Sequence, residues 1–529
     1  MTDSFNLADQ PWIPCERLDG SVADLSTRDA LVEAHAIRAI VDPSPLVQAV
    51  LHRHLLAVLH RCYAGPKTVS EWLDIARADR FDSARIESYL GRVKDGMDLF
   101  HPKRPFAQAR GLVEQFKADP IDELLIERSG WGKARELFQH RPPAYRPMMT
   151  PAMAARALLG YQAFATGGLI KKPDEPTSAT AAPLVKAAVV LLRGETLFKT
   201  LIANLLEYDP ANSKPISATT VDAPAWEQDP LPARLPRKRE PQRLPRGWLD
   251  LLTWVSRRIE LVHDGEDVTA FVRAVGQGMA EAAARDPMVA YRVDEKRGPV
   301  SVGLEPDRAF WRSATALFTT RDAGKRFLQP ASFAHAGKRE VVETLGERAT
   351  YDVDALGLAA DKSRVDMARA ETLRLRLRLL DDADAGEAVE NAIRIAEEGV
   401  RALRLGLRVY AEHLLTAAHR APDAGAATAL VASFGAETAA WSELGGSFSK
   451  FVGGMQEGIE AAEKDFAAEV GEIVRRQFAL ATGSAGSAAH ALRARAHAET
   501  AFRDALTGRT RADHVQGAPS KSSDQEEQQ

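Results

Sequence analysis

An α+β fold is predicted: a large mixed, loop-rich N-terminal domain, then a C-terminal antiparallel four-helix bundle. Three observations carry it. The chain has 529 residues, more than one hydrophobic core usually organises, so two or more domains are expected. Prolines at 142–151, 224–245 and 299–306 cut the first 380 residues or so into short apolar segments. From Asp384 the pattern changes to long runs of helical periodicity. The resulting division is a mixed domain over 1–380, a helical bundle over 385–508, and a tail over 511–529. That tail, ending SKSSDQEEQQ, has almost no apolar content and is expected to be disordered.

Two early helices stand out. Val47, Val50, Leu51, His54, Leu55, Val58 and Leu59 recur at helical spacing, and Ala64-Gly65-Pro66 stops the run. A second helix is expected from about Ala152 to Ala165, ending at Gly167-Gly168. Ile170–Thr180 is polar and contains proline, and reads as a loop. Ala181–Leu206 is apolar enough for a buried helix, interrupted near Gly194. Leu373 to Leu379 alternates leucine with arginine, which favours a strand with one basic face, although the same letters can open a helix. In the bundle, Val389, Ile393, Ala396, Val400, Leu403, Leu407, Tyr410 and Leu414 form a sustained seam. After a turn at Pro422 and Gly425, a second seam runs from Trp441, Leu444, Phe448, Phe451 and Met455 through Ile459, Ala462, Phe466, Val470 and Ile473. A last pattern holds Leu492, Ala496, Phe502 and Leu506. Narrow apolar seams with short connections pack as antiparallel bundles.

Composition excludes several classes. A hydrophobic content of 45% and a charged content of 27% are those of an ordinary globular chain. No apolar run approaches the roughly 18–20 residues that span a bilayer. The start MTDSFNLADQPWIP has no secretory pattern, so a cytoplasmic, membrane-free location is expected. Cys15 and Cys62 give no disulfide framework, and no Cys/His spacing suggests zinc. The net charge of −4 means that any nucleic-acid contact must come from local basic patches.

Catalytic patterns are missing too. The sequence has no GxxxxGK[ST] loop, GxSxG elbow or HExxH pair. His52 and His54 point in different directions on a helix, and no carboxylate accompanies His60 near the face of His52, so packed or surface histidines are expected. Asp381, Asp382 and Asp384 read as a solvated linker. Neither a cofactor nor catalysis is expected.

The opening Phe5-Asn6-Leu7-Ala8-Asp9-Gln10-Pro11-Trp12-Ile13-Pro14 resembles the start of the CasA family, the large subunit of the type I-E CRISPR Cascade. Similar segments follow in the same order: Leu51–Arg61, Phe100-His101-Pro102 with Pro105–Gln108, Arg193–Phe198, and Leu251–Trp254 with Arg257-Arg258. With the C-terminal bundle, the resemblance covers nearly the whole chain. It implies a protein that holds double-stranded target DNA, reads the protospacer-adjacent motif and helps start unwinding for the guide RNA. Its other implied partners are the remaining subunits of the guide RNA ribonucleoprotein and a recruited helicase–nuclease. The division of labour is that of RNA-guided recognition, in which protein reads a short motif and pairing reads the rest.

The resemblance also implies where these tasks sit. Gly167 and Gly168 match a glycine loop that approaches the minor groove. A residue without Cβ allows close approach and positive φ, though glycine is equally at home as a helix C-cap. Lys171 and Lys172 follow and can neutralise phosphates. Pro287–Gly298 resembles the strand and turn of a lysine finger, which places the finger at Lys296 with Arg297 beside it; a solvated hairpin turn has the same letters. Leu356–Asp366 matches a wedge whose tip is often glutamine in the family, whereas Lys362 and Ser363 stand here. That departure leaves open how unwinding starts. Leu137–His140 matches the loop that anchors the subunit at the guide-RNA end, with Phe138 to stack on a base and His140 to hydrogen-bond an edge.

Arg234, Arg237, Lys238, Arg239, Arg243 and Arg246 crowd a proline-rich stretch that proline keeps extended. Either phosphate contact or a solvated loop fits it. The leading alternative to motif reading is a structural scaffold subunit of the same complex with weak or non-specific DNA binding. An unrecognised hydrolase is the remote third reading.

Overall fold

In the computed structural model the described residues are 4–129, 147–170, 177–235, 241–280, 285–321, 326–361, 364–416, 424–483, 486 and 488–508. The chain divides into two compact units, Met1–Gly386 and Glu387–Gln529. The first mixes helices with small antiparallel sheets, and in the second the described elements are helices joined by turns.

The first unit opens with β1 (Ile13–Arg17) flanked by β2 (Val22–Leu25) and β3 (Ile37–Ile40). Helix α1 (Pro45–Tyr63) follows. Ser44 caps it, accepting the Val47 N–H, and Pro45 occupies the first turn, where no donor is needed. Ala64 at φ +50° ends it. Nearly every residue from Leu46 to His60 is buried, so α1 runs through the core and is not a surface amphipathic helix. Helix α2 (Pro151–Phe164) packs against it and is capped by Thr150 in the same way.

The stretch Ile170–Thr180, read from sequence as a loop, instead contributes to a small hairpin. Strand β4 (Gly168–Ile170) pairs with β5 (Thr177–Ala179), in register Gly168↔Ala179. The apolar run Ala181–Leu206 also departs from its expected form. It holds the strand β6 (Ala188–Arg193) and then the helix α3 (Leu197–Asn204). The β-branched pair Val189-Val190 sits in a run buried on both faces, which periodicity alone cannot distinguish from helix. The change of direction falls at Gly194, where a Cβ would lie 2.7 Å from that of Lys199. Asn204 ties the pair together: its side chain accepts the Leu192 N–H and donates to the Leu192 carbonyl.

Strands β7 (Arg257–His263) and β8 (Val268–Val275) form an antiparallel pair, and β9 (Tyr291–Asp294) turns back into β10 (Gly298–Ser301). A long hairpin, β11 (Thr350–Asp361) with β12 (Arg364–Arg376), completes the unit. Its sheet order is β12-β11-β6. The Leu/Arg alternation is only half strand: Leu373–Arg376 end β12, with Leu373 and Leu375 buried and Arg374 facing outward to pair with Asp352, whereas Leu377–Asp381 turn into a 3-10 helix.

The second unit contains α4 (Ala383–Thr416, which begins just before it), α5 (Ala424–Ser433), α6 (Ala436–Gly454), α7 (Ile459–Gly483) and α8 (Ala489–Leu506). Five helices are thus described where four were expected. Val389 through Tyr410 of the first seam are buried, and Leu414 only partly. The second seam is split by a turn at 455–458, so that α7 doubles back along α6 around Phe448, Phe451 and Phe466. In α8 the buried face is Ala491, Ala494, Ala498 and Phe502, whereas Leu492 and Ala496 are exposed. The expected face was therefore displaced. Close approach decides it, since a Cβ on Gly406 would lie 2.7 Å from that of Phe502, and small residues let helices come together.

Candidate nucleic-acid interface

The lysine hairpin is built locally. The register of β9 and β10 closes at Asp294↔Gly298, leaving Glu295, Lys296 and Arg297 as a three-residue loop. Gly298 takes φ +73°, the left-handed position such loops require. The Asp294 carboxylate accepts the N–H of Lys296 at 3.0 Å and of Arg297 at 2.9 Å. Those N–H donors, Arg297 first, hold its pKa below the ordinary carboxylate value. The backbone of the loop is thereby fixed while both cationic side chains project into solvent.

The glycine hairpin is built by close approach. At Gly167 a Cβ would lie 3.2 Å from the Ala179 carbonyl oxygen and the Ala181 nitrogen. Gly168 takes φ +144°, a conformation that L side chains rarely adopt. Helix α2 has already ended at Ala165, so the glycines begin a strand and are not its cap. Leu169 between Gly168 and Ile170 is 81% exposed. Lys171 and Lys172 lie outside the described residues.

The wedge segment forms the end of the β11–β12 hairpin. Its register runs to Asp361↔Arg364, and Lys362 and Ser363 themselves lie outside the described residues. Phe138 and His140 also lie outside them.

Three hairpins are rooted on one piece of chain. Residues 180–187 lead from β5 into β6. On one side of β6, Ala188 donates its N–H to the Val302 carbonyl and Val190 donates to that of Met288, which brackets the β9–β10 hairpin at its base. On the other side, Ala188 pairs with Gly357 of β11. A Cβ on Gly303 would lie 2.6 Å from the Lys186 oxygen, and one on Gly357 would lie 2.7 Å from the Ala187 oxygen. Backbone therefore touches backbone on both sides of the root, and the glycine, lysine and wedge hairpins leave from it.

Sequence reasoning missed the groups that support this root. Arg257 is buried beside the glycine hairpin and bonds the backbone just before its first strand and just after its second, at Thr166 and Thr180. The buried pair Arg53–Asp286, 2.8 Å apart, ties α1 to the chain entering β9. A close Asp-to-Gly spacing, as in Asp294 and Gly298, is a readable turn signal; a buried arginine bonded to distant carbonyls leaves none.

The basic stretch is partly spoken for. The Arg243 guanidinium bonds Asp250 at 2.6 Å and lies 4.1 Å from the Trp254 ring centroid, while Arg246 bonds Gln228. Arg234 is exposed, and 236–240 lie outside the described residues. The histidines of α1 are packed: His54 sits among Trp12, Phe106 and Trp226, and His60 between Tyr208 and the Trp248 N–H. Among the described residues, no group of three or more His, Cys, Asp or Glu side chains is placed to hold a metal ion. None of the described helices is long and apolar enough to cross a membrane.

The chain is thus α+β, with a helical C-terminal unit and three hairpins that leave one root. Comparison with known proteins is specific: the family model for CRISPR-associated protein Cse1 matches residues 6–481. The CRISPR-associated protein CasA/Cse1 of Thermus thermophilus is 36% identical over 465 residues, spanning 86% of this chain and 88% of that relative. The solved structure of Thermus thermophilus CasA (Cse1) superimposes with a TM-score of 0.77 at 31% identity, covering 96% of this chain and 100% of that one. A chain from a CRISPR RNA-guided surveillance complex shares the fold at 18% identity, with a TM-score of 0.70 and coverage of 94% and 99%. This chain belongs to the Cse1 (CasA) family.

Proposed function

We propose that the chain is the large subunit of an RNA-guided surveillance complex and reads a short duplex motif in target DNA. The observation that carries this is the common root: the glycine pair and the Lys296–Arg297 loop issue from opposite ends of one segment, residues 180–190. Gly167 and Gly168 let backbone approach the minor groove, and Lys296 and Arg297 reach acceptors on its floor, which are alike for A·T and T·A pairs. Phosphate contact is assigned to Lys171 and Lys172, and the meeting with the first base pair to Lys362 and Ser363. Anchoring at the guide-RNA end is assigned to Phe138 and His140. The subunit is a platform for the helicase–nuclease and does no chemistry itself.

The test is Lys296→Ala in the assembled complex, measured by gel shift on motif-bearing and motif-less duplexes. Loss of one base-reading cation should cost about 1–3 kcal/mol on the motif-bearing duplex and little on the other. Equal loss on both would favour a scaffold with non-specific DNA contact. Incubation of the isolated subunit with DNA and a divalent metal should give no cleavage.

A further inference from the structure

We infer that Arg257 is a positioning residue that sets the glycine hairpin for DNA contact, an inference that rests on the proposed reading of that hairpin. Arg257 opens β7 and is 2% exposed. Its guanidinium donates to four backbone carbonyls: Thr180 at 2.7 Å, Ser256 and Thr166 at 3.0 Å, and Ala165 at 3.3 Å. Among the described residues it faces no carboxylate. Burying a cation without a counter-charge is costly, and burial shifts its pKa downward. The four carbonyl dipoles help hold the charge in place.

Their location gives the arrangement its meaning. Ala165 and Thr166 enter β4, and Thr180 leaves β5, so one side chain clamps both strands just below the Gly168↔Ala179 pair. The clamp is itself fixed, because the Gln162 side chain of α2 accepts the Arg257 N–H at 2.8 Å and donates to its carbonyl at 3.0 Å. In a planar trans peptide the carbonyl and the following N–H are antiparallel. Holding the Thr166 oxygen on the guanidinium therefore turns the Gly167 N–H away from it. Arg257 thus sets the strand separation at Gly167 and the direction in which its donor points. It touches no DNA.

The experiment uses the assembled complex with Arg257→Gln, Arg257→Lys and, as a check on the reading, Gly168→Ala. Three quantities are read: subunit incorporation, affinity for motif-less duplex, and the ratio of motif-bearing to motif-less affinity. We expect Arg257→Gln to lower the ratio roughly tenfold with little change on motif-less DNA, and Arg257→Lys, which keeps the charge and part of the clamp, to restore part of it. Gly168→Ala should lower the same ratio. If Gly168→Ala lowers it and both Arg257 variants leave it intact, the positioning role is overturned while the reading of the hairpin stands. An unchanged ratio in Gly168→Ala overturns that reading and, with it, the role assigned to Arg257. Should Arg257→Gln fail to incorporate, Arg257→Lys decides by the same ratio; failure of both assigns Arg257 to folding alone and overturns the inference.

Discussion

His60 shows how a residue type associated with chemistry is committed to structure. Its Nε2 accepts the Trp248 indole N–H at 3.2 Å, so Nδ1 carries the proton and donates it to the Gly65 carbonyl at 3.1 Å. Both ring nitrogens are used only in the neutral form, and burial holds the pKa at about 4. His54, buried among aromatic rings, is held at about 3. Both values lie below the ordinary 6.5. As pH falls below 6.5 the unfolded chain takes up protons that the folded chain refuses, so stability drops, and the slope levels off only below the folded values. Each histidine adds up to about 1.4 kcal/mol per pH unit in that window. His60→Asn should therefore flatten the dependence of unfolding free energy on pH between 7 and 5 by one proton's worth, even though the variant is less stable throughout. Denaturant titrations at three pH values measure this, and an unchanged slope would mean that His60 is charged in the folded protein.

At the scale of elements, α1 both fills the core and anchors the lysine hairpin. Arg53 reaches Asp286 at 2.8 Å, a close ion pair, and its guanidinium lies over Trp248. Asp286 in turn accepts the Met288 N–H, fixing the chain two residues before the β9 approach. Arg53→Met leaves a buried carboxylate without its partner and should cost about 3–5 kcal/mol. The double variant with Asp286→Asn should recover much of that loss, the coupling that neighbouring charges show. Strict additivity in chemical denaturation would remove the pair from the account. Helix α1 was legible in the sequence because its apolar spacing and its stop at Ala64-Gly65-Pro66 are both local. The lysine turn was placed by resemblance, although the letters Glu295 to Gly298 also fit a hairpin turn. Ala181–Leu206 was misread because an apolar run buried on both faces carries no period. The α8 face was misread because alanines that permit close approach weigh little in a hydrophobic pattern. Arg257 was invisible as a clamp, since the hairpin carbonyls it holds lie 77 to 92 residues away along the chain.

Over the whole molecule, 69 basic and 73 acidic residues leave a net charge of −4, so long-range attraction to DNA is weak and contact must be local. Many cations are already engaged: Arg243 with Asp250, Arg193 with Asp354, Arg374 with Asp352, and Arg404 with Glu437. Lys296 and Arg297 are exposed on a loop whose backbone is fixed by Asp294. This bounds the electrostatics of the subunit. Each phosphate neutralised on duplex DNA contributes roughly 0.9 to the slope of log affinity against log salt. If its phosphate contacts are limited to Lys171 and Lys172, the subunit adds at most roughly 1.8 to the slope of the complex. Titration between roughly 50 and 200 mM salt, comparing the complete complex with one lacking this subunit, measures the difference. Replacing Lys171 and Lys172 together by alanine should reduce it by up to roughly 1.8. A difference well above the bound would bring in the basic stretch from Arg234 to Arg246. In that case replacing Arg237, Lys238 and Arg239 should restore the lower slope while leaving the preference for motif-bearing DNA unchanged, because phosphate contacts set affinity and base contacts set specificity.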